Sequence, residues 1–584
     1  MKLIIHDFEV FKYDVLLGAI VVEGNSQHVV QLWNQDEIRD FYKNHINDLW
    51  IGHNNLGYDE IILEGIVNHK DPYKVSKSII NSQIRPKCKL PILTYDCMRA
   101  GFYSLKMTEY VVGKNISETQ VDFNLDRPLN EKEKILTESY NRDDLNQTLY
   151  NFEHIKSEFE LRASLINEFK LPLSMLTATS TKVASTVLGA KAIDGIEKMK
   201  VETKLPSTIQ LKNQDVIDFY LNEDFRKNKR IKVMLCGCEH IIASGGIHAA
   251  LKKIHIDKAL YFDVSGYYNL VMLNYDLLPR TMPKESRELY DFMYHEQLRL
   301  KGVDDAKRAM YKVILLSVFG AMMNKYTDFY DPWHGSLVTV TGEIFLVDLL
   351  EKLEGKVRVL QSNTDGIMIE PYDWNKKDEI IKIVEEWESR TGFVIKKEEI
   401  HNLWQRDVNN YVFDDNGKPH PKGEAVNAYS KLSNPIFTQL WNCKEAPIIA
   451  KGIVDYLLYS VDPQETVEKN KTNLLLYQYP CKALSFDYCQ YEETNLKTGE
   501  VIKTKLQNVN RAFASNDKSK TGLVIKYKTL EDGTIKKAKV ASLPESVFIH
   551  NDEILSEKSI NELLPKIDYD YYVKRIWKRL GEFI

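Results

Sequence analysis

The sequence predicts a multidomain protein of the mixed α/β class. Its 584 residues exceed what a single hydrophobic core can serve, so several domains are expected. Three short strands joined by tight turns are predicted at the start, over residues 3–11, 14–22 and 28–33. Helical patterns are clear over residues 138–148 and 285–325. Strand and helix patterns therefore occur in more than one part of the chain.

The composition is that of an ordinary globular protein. The chain is 43% hydrophobic and 28% charged. No apolar run approaches the ~18 residues of a membrane span, and no signal-peptide pattern is present, so a cytoplasmic protein without membrane segments is expected. The seven cysteines are scattered, and no second pair completes Cys236-Gly-Cys238 as a zinc site, so free thiols are expected.

The net charge is −5, but the C-terminal part contains a basic segment. Residues 495–541 hold eleven Lys or Arg and four Asp or Glu, a local charge of +7. Such a segment predicts a surface that follows the phosphate backbone of a nucleic acid. A solvated, mobile hairpin region is the alternative, and charge alone does not decide between the two.

Two acidic residues in the centre are candidate metal ligands. Asp263 ends a short apolar strand, and Asp365 lies at the tip of a hairpin predicted over residues 357–369. A carboxylate at the end of a buried strand is costly unless it is paired, and a metal ion is the usual partner. Two strand-borne carboxylates that converge on Mg²⁺ indicate phosphoryl transfer by two metal ions.

The segment between these acids is predicted to form two helices, over residues 285–301 and 306–325. Arg308 and Lys312 are four residues apart, so both cations project from one helical face. Phe319 follows on the same helix. Two cations followed by an aromatic ring suit a triphosphate and the base stacked behind it, whereas an ordinary surface helix is the alternative.

The N-terminal part carries a second set of acids. Asp7 and Glu9 are two residues apart on the first predicted strand and therefore share a face. Asp59 lies in the first turn of a helix that follows another strand, and Tyr140 and Asp144 share one face of a later helix. Four acids in one pocket repel each other unless divalent cations neutralise them.

These residues lie in motifs that resemble those of the DEDD-class 3′→5′ proofreading exonucleases, which have an RNase H-like fold. The matching motifs, in order, are Asp7-x-Glu9, Asn54-x-x-x-Tyr58-Asp59 and Tyr140-x-x-x-Asp144, and Ser104-Leu-Lys106 resembles a further segment of that class. The resemblance implies that the four acids hold two Mg²⁺, with Mn²⁺ as a substitute, and that Tyr140 orients the attacking water. It also implies that Asn54 and Lys106 contact the substrate.

The central motifs resemble those of family B DNA polymerases. The three matching segments are Asp263-Val-Ser-Gly-Tyr-Tyr268, Lys312-x-x-x-Leu316-Ser-Val-Phe319-Gly320 and Asn363-Thr-Asp365-Gly366. The resemblance implies that Asp263 and Asp365 bind two catalytic Mg²⁺ and that Arg308 and Lys312 neutralise the triphosphate. It also implies further contacts with the nucleotide or the primer–template, from Tyr268 as the sugar gate and from Phe319, Gly320, Tyr411 and Lys422. The sequence departs from the family pattern at Gly266, Leu316, Asn363 and Gly366.

Adjacent glycines, Gly245 and Gly246, precede the central motifs. Such a pair allows the backbone to approach a ligand closely. Family B polymerases carry a comparable element between their nuclease and polymerase domains, where it contacts the template or coordinates the two activities. A simple tight turn is the alternative.

Together the resemblances imply a compact, phage-like DNA polymerase with a right-hand architecture and proofreading. The expected domains are an exonuclease over 1–155, a helical connector over 156–250, a palm over 251–284 and 326–453, fingers over 285–325 and a thumb over 454–584. The expected partners are primer–template DNA, dNTPs and phage replication proteins, and the enzyme is expected to be a monomer in the host cytoplasm.

Three alternatives remain open at this point. The short intervals between the central motifs leave little room for the insertions of protein-primed phage polymerases, so priming from an ordinary 3′ end is expected, with a protein-primed polymerase as the alternative. An exonuclease whose degenerate polymerase half only binds DNA is another. A DNA-binding scaffold without activity is the third, and it leaves six acids at metal-site spacing unexplained.

Overall fold

The computed structural model describes residues 1–81, 87–100, 104–223, 230–436 and 438–584. These residues form four β-sheets with helices packed against them, which confirms the predicted α/β multidomain class. Within the described ranges, no helix is both long enough and apolar enough to cross a membrane. All seven cysteines are free thiols, as predicted.

The strands and helices have the following bounds. The strands are β1 Leu3–Val10, β2 Val15–Glu23, β3 Ser26–Leu32, β4 Leu49–Gly52, β5 Leu93–Asp96, β6 Ile231–Leu235, β7 Cys238–Ala243, β8 Gly246–Ala250, β9 Ile254–Val264, β10 Val357–Asn363, β11 Gly366–Pro371, β12 Ile395–Asp407, β13 Asn410–Asp415, β14 Lys418–Lys422, β15 Tyr479–Lys482, β16 Tyr488–Asn495, β17 Val501–Lys505, β18 Val509–Ala514, β19 Lys520–Thr529, β20 Ile535–Lys539 and β21 Val547–Ile549. The α-helices are Gln35–Asn44, Asp59–Val67, Pro72–Asn81, Leu105–Val111, Glu131–Glu168, Ser180–Val187, Gln214–Leu221, Tyr267–Asn274, Ser286–Arg299, Asp305–Ala321, Pro332–Leu353, Lys377–Thr391, Asn427–Lys431, Pro447–Tyr459, Pro463–Lys469, Glu557–Leu563 and Tyr569–Leu580.

The first sheet turns one face of β1 toward Glu131–Glu168, called the long helix below. The strand order is β3-β2-β1-β4-β5, with β1 antiparallel to β2 and parallel to β4. Ile5 packs with Leu145 of the long helix, whereas the even-numbered apolar residues of β1 belong to the core on the opposite face. Because side chains alternate along a strand, Asp7 and Glu9 face the long helix as predicted.

The second sheet is antiparallel and has the order β14-β13-β12-β9-β11-β10-β8-β7-β6. It packs against Pro332–Leu353, a helix that is buried along most of its length. The prediction of a helical connector over 156–250 is wrong for residues 231–250, because β6, β7 and β8 join this sheet. Burial alternates along β6, where Val233 and Leu235 are buried and Met234 between them is exposed, as expected for a strand.

Two helices, Ser286–Arg299 and Asp305–Ala321, lie between β9 and β10 in the chain and pack against each other. They are called the helical hairpin below. The Asp304 side chain caps the second helix by accepting a hydrogen bond from the Lys307 backbone. Both predicted helices are present, although the second ends at Ala321 rather than at Lys325.

The C-terminal part contains two small sheets, β15-β18-β21 and β17-β16-β19-β20, with helices packed on one side. The basic segment contains two hairpin turns, between β16 and β17 and between β19 and β20. Gly499 and Gly533 adopt left-handed φ values of 73° and 80°, which glycine adopts without steric cost. The last helix of the chain, called the closing helix below, spans Tyr569–Leu580, and its buried residues share the C-terminal core.

Arg511 belongs to the basic segment in the sequence, yet it is fully buried and joins the N-terminal and C-terminal parts of the fold. Its guanidinium donates to the backbone carbonyl of Lys114 at 2.9 Å and to that of Asp552 at 2.7 Å. It also donates to Gln478 Oε1 at 2.9 Å. Apolar residues from the two parts form a shared core beside it, with Tyr110 on one side and Trp441 on the other.

Replacing Arg511 with Met is expected to lower the free energy of unfolding by about 3 kcal/mol, because several buried acceptors lose their donor together. Urea-induced unfolding of the purified protein measures this. The control is Lys518→Met, which removes a cation from a side chain that is 78% exposed. Equal effects of the two substitutions would contradict a joining role for Arg511.

Candidate active sites

Three acids converge where β1 meets the long helix. Ligand oxygens of Asp7, Glu9 and Asp144 lie within 4.8 Å of one another. Asp59 begins the helix that follows β4, and its Oδ1 accepts a hydrogen bond from the Phe8 backbone at 3.0 Å. Its charge acts on Glu9, so the structure brings all four predicted nuclease acids into one neighbourhood.

Lys106 is a cation of this acidic cluster. Its ammonium donates to Asp144 Oδ1 at 2.8 Å and forms an ion pair with Glu109 at 3.1 Å. It also lies 4.6 Å from the centre of the Tyr140 ring, and Tyr140 interacts with Asp144. The sequence predicted Lys106 and Tyr140 at this site, and the structure places both beside its acids.

Burial and mutual repulsion hold protons on the acids of this cluster. Burial, followed by the charge of Asp144, raises the pKa of Asp7 to about 7. The pKa of Glu9 and that of Asp59 are raised well above their usual range, first by burial and then by the charge of Asp7. Burial lowers the pKa of Lys106, but the charges of Asp144 and Glu109 together outweigh burial and raise it.

Asn54 is close to the cluster through its backbone. It adopts a left-handed φ of 65°, and its backbone N–H donates to Asp96 Oδ1 at 2.8 Å. Asp96 also accepts from the Met98 backbone at 2.9 Å and so acts as a turn residue. The predicted contact of the Asn54 side chain with the substrate remains a prediction.

Two cavities lie beside the cluster and toward the C-terminal sheets. One, of about 380 Å³, is lined by Lys106, Phe123 and Tyr140 among others. The other, of about 360 Å³, lies between the Leu105–Val111 helix and the loop before β16, where Phe486 contributes to its lining. Both cavities are lined by Asn508, so they are neighbours along one surface.

The second pair of acids lies at adjacent strand ends. Asp263 of β9 pairs with Gly366 of β11, and Asp365 occupies the turn between β10 and β11. The Val264 backbone donates to the carbonyl of Asp365 at 2.8 Å. A Cβ on Gly366 would lie 2.9 Å from the Phe262 carbonyl, so a glycine at this departure from the family pattern permits the close approach of the two strands.

The pKa of Asp263 is raised less than that of Asp7 in the first cluster. Burial, followed by the charge of Asp365, raises the pKa of Asp263 to about 6, while Lys396 on the neighbouring strand lowers it. Burial, followed by the charges of Asp263 and Asp365, raises the pKa of Tyr411 to about 12. Lys422 pairs with Tyr411 across β13 and β14, and its ammonium lies 5.9 Å from the ring centre.

The helical hairpin is joined to this site by stacked rings. Tyr268 stacks on Phe319 with ring centroids 3.9 Å apart and planes 15° from parallel. Lys312 is seven residues before Phe319, so it projects from the same helical face about 10 Å away. It is exposed and forms no ion pair within the described ranges, whereas Gly320 on the other side of Phe319 is exposed to open space.

Arg308 is placed differently from the sequence-based expectation of a free cation beside Lys312. Its Nε donates to the Gln297 carbonyl at 3.1 Å, and it lies 4.0 Å from Asp305. Arg308 therefore links the two helices of the hairpin in this conformation. For Arg308 to bind a triphosphate, its hydrogen bond to Gln297 must break, or its guanidinium must contact Gln297 and the triphosphate at the same time.

Sequence reasoning missed three residues beside the acids. Asn141 donates to Asp7 Oδ2 at 2.8 Å. Burial lowers the pKa of His248 below its usual value, and the nearby charge of Asp365 offsets only part of this shift. Thr364, in the turn with Asp365, lies against Gly246: a Cβ on that glycine would be 2.5 Å from Thr364 Oγ1.

Ser244 and Gly245 form the tight turn between β7 and β8, as the tight-turn alternative predicted, and Gly246 is the first residue of β8. The turn also brings the backbone of Gly246 next to the carboxylate turn at Thr364. Gly246 has a φ of +148°, whereas a Cβ on Gly245 would meet nothing within 4 Å. Only the second glycine is therefore required by its surroundings.

The strands β17, β16, β19 and β20 carry lysines that make no ion pair with any described residue. They are Lys505, Lys526, Lys528, Lys536, Lys537 and Lys539. The cross-strand register puts Lys505, Lys537 and Lys539 on one face, and it places Lys528 directly opposite Lys536. Like charges in direct opposition are destabilising unless an anion lies near them, which favours a phosphate-binding surface.

No protein-family model matches this chain, and no curated protein sequence matches it. The chain is similar to the family B DNA polymerase from the hyperthermophilic archaeon Pyrobaculum calidifontis. The similarity has a TM-score of 0.44 at 14% sequence identity, and it covers 100% of this chain and 78% of that chain.

Mg²⁺ is expected to raise the melting temperature by about 3 °C at pH 8 and by much less at pH 5.5. In the metal-free protein, the raised pKa of Asp7 stabilises the fold fully below the pKa of an unfolded carboxyl. This contribution is lost as the pH rises through about 7. At pH 8 the cluster is therefore charged and a divalent cation relieves its repulsion.

Thermal melts with and without Mg²⁺ at the two pH values measure this effect. The control is the Asp7→Asn/Asp144→Asn variant, in which the pH-dependent part of the shift should disappear. A shift that is equal at both pH values, or unchanged in the control, would contradict a divalent-cation site at this cluster.

Proposed function

We propose that the protein is a template-directed DNA polymerase that adds dNTPs to a primer 3′ end and removes misincorporated nucleotides with a 3′→5′ exonuclease. The observation that carries the proposal is that Asp263 and Asp365 lie at the ends of adjacent strands, Asp263 paired with Gly366 and Asp365 in the turn before it, with a helix joined to this site by the stack of Phe319 on Tyr268. Strand-borne carboxylates next to a helix that presents an exposed lysine, Lys312, suit phosphoryl transfer to a nucleotide chain.

The nuclease half of the proposal is supported by the N-terminal cluster. Asp7, Glu9 and Asp144 offer three ligand oxygens within 4.8 Å, with Asp59 nearby. Lys106 pairs with Asp144, and burial followed by the charges of neighbouring carboxylates raises the pKa of Asp7 and that of Glu9. This donor set of carboxylate oxygens fits Mg²⁺ or Mn²⁺.

When bound, two divalent cations would activate the attacking oxygen and stabilise the leaving oxygen at each site. Asp263 and Asp365 would hold them at the polymerase site, and Asp7, Glu9, Asp59 and Asp144 would hold them at the nuclease site. Side chains of the protein would orient the reacting groups. Tyr140 and Lys106 contact Asp144 and would orient groups beside it.

The nucleotide would lie between Lys312 and the stacked rings of Tyr268 and Phe319. Lys312 is free to neutralise phosphate charge, and Phe319 presents an aromatic face on the same side of its helix. Tyr268 is held against Phe319, so its ring would restrict the space at the sugar and exclude a 2′-hydroxyl. Tyr411 and Lys422, near the acids, would contact the primer–template.

Priming from an ordinary nucleic-acid 3′ end is proposed in preference to protein priming. The helical hairpin consists of two short helices joined by five residues, 300–304, and a ten-residue connection leads to the next helix. An insertion that could bind a priming protein has no room between the central motifs, all of which the structure describes.

An exonuclease with a DNA-binding polymerase half is the second candidate. It is favoured by one observation, namely that within the described ranges only the N-terminal cluster brings three ligand atoms together. A primer-extension gel with and without dNTPs separates the candidates. Extension plus degradation supports the polymerase, degradation alone supports the second candidate, and failure of the wild-type protein to extend a primer with dNTPs and Mg²⁺ refutes the first.

Single substitutions are expected to separate the two activities. Asp263→Asn and Asp365→Asn should each reduce nucleotide incorporation by about 10³-fold and leave degradation of single-stranded DNA intact. Asp7→Asn and Asp144→Asn should do the reverse. Rate measurements on a labelled primer, alone and annealed to a template, check both; loss of both activities from one substitution would contradict two separate sites.

Lys537→Glu/Lys539→Glu is expected to weaken binding to primer–template DNA about tenfold at low salt. It should also reduce the slope of log affinity against log salt by about two, because two phosphate contacts are lost. The control is Lys574→Glu/Lys578→Glu, which makes the same change of charge on exposed positions of the closing helix. Fluorescence anisotropy measures both variants, and equal weakening would point to net charge rather than to this face.

The adjacent glycines provide a matched pair for the turn that carries Asp365. Gly246→Ala is expected to reduce nucleotide incorporation about 100-fold, because its methyl group would displace Thr364 and with it the carboxylate turn. Gly245→Ala meets open space and should retain near-normal incorporation. Primer extension measures both, and equal rates would show that the turn does not depend on this contact.

A further inference from the structure

Asp7 lies in a cross-strand row whose middle position has no side chain. Asp7 of β1 pairs with Gly18 of β2, and Gly18 pairs with Gln31 of β3. The space over Gly18 holds the side chain of Asn141 from the long helix, since a Cβ on Gly18 would lie 1.7 Å from Asn141 Oδ1. Asn141 is fully buried, so its amide fills the gap between Asp7 and Gln31.

Hydrogen bonds on both sides set the orientation of this amide. Gln31 Nε2 donates to the backbone carbonyl of Glu138 at 2.7 Å and to Asn141 Oδ1 at 3.4 Å. Arg142 donates to Gln31 Oε1 at 3.1 Å, which fixes the end of Gln31 that faces Asn141. Asn141 Nδ2 is thereby directed at Asp7 and donates to its Oδ2 at 2.8 Å.

We propose that Asn141 is a positioning residue for the nuclease site, whose amide holds the Asp7 carboxylate in the orientation that binds a divalent cation. The inference rests on the proposed nuclease function. An amide suits this role because it donates to a carboxylate without adding charge to a pocket that already holds four acids. Hydrogen-bond partners of metal ligands typically affect metal affinity by about 10–100-fold.

Gly18 contributes by having no side chain. A methyl group there would push the Asn141 amide away from Asp7 while leaving every polar group of the site in the sequence. Asn141 and Gly18 should therefore act as a unit, and substitutions at the two positions should not be additive.

Mn²⁺ binding followed by electron paramagnetic resonance tests this without relying on catalysis. The parent is the full chain carrying Asp263→Asn/Asp365→Asn, which removes the acids of the other site. Asn141→Ala in this parent should lower Mn²⁺ affinity about tenfold, and Gly18→Ala should have a similar effect. The matched control is Asn146→Ala, an exposed position on the same helix, which should bind Mn²⁺ as the parent does.

The double variant Gly18→Ala/Asn141→Ala should bind no more weakly than Asn141→Ala alone, because the added methyl no longer meets an amide. Thermal melts show whether each variant folds, and if Gly18→Ala does not, the comparison of Asn141→Ala with Asn146→Ala decides alone. Equal Mn²⁺ affinity in Asn141→Ala and the parent overturns this inference only. A parent that binds no Mn²⁺ overturns the metal site and the inference together, whereas Mn²⁺ binding without DNA degradation overturns only the nuclease function.

Discussion

The burial of several carboxylates side by side is the constraint on which the N-terminal site depends. Folding brings Asp7, Glu9 and Asp144 together although burial and the charge of Asp144 raise the pKa of both Asp7 and Glu9, and this arrangement costs stability in the absence of a cation. The apolar sheet behind β1 and the residues of the long helix that cover it offset the cost. The divalent cations proposed for this site would therefore stabilise the fold.

Close backbone approaches position the second pair of acids. Gly366 and Gly246 lack side chains where neighbouring atoms leave no room for one, so three strands meet tightly around Asp365. The two sites are also connected through the fold. The long helix carries Asp144 in its N-terminal half, and at its C-terminal end Glu168 forms an ion pair with Lys307 of the helical hairpin at 3.1 Å.

Much of this arrangement could be predicted because it depends on local patterns. Period-two spacing put Asp7 and Glu9 on one face, and hairpin signals put Asp365 at a turn. Contacts between distant segments could not be predicted this way. Arg511 lies in the basic segment of the sequence but is buried in the structure. Asn141 comes directly after Tyr140, and nothing in the sequence near it indicates that Gly18, on a different strand, leaves space for its side chain.

The central claim is that one chain incorporates nucleotides at one site and removes them at another, and idling turnover tests it most directly. The protein is incubated with a primer–template, Mg²⁺ and only the dNTP that matches the next template base, and the conversion of dNTP to dNMP is measured. The account predicts steady dNMP release that requires the template and is lost in both Asp365→Asn and Asp7→Asn. Absence of dNMP in the wild type, or release that continues in either variant, would contradict it.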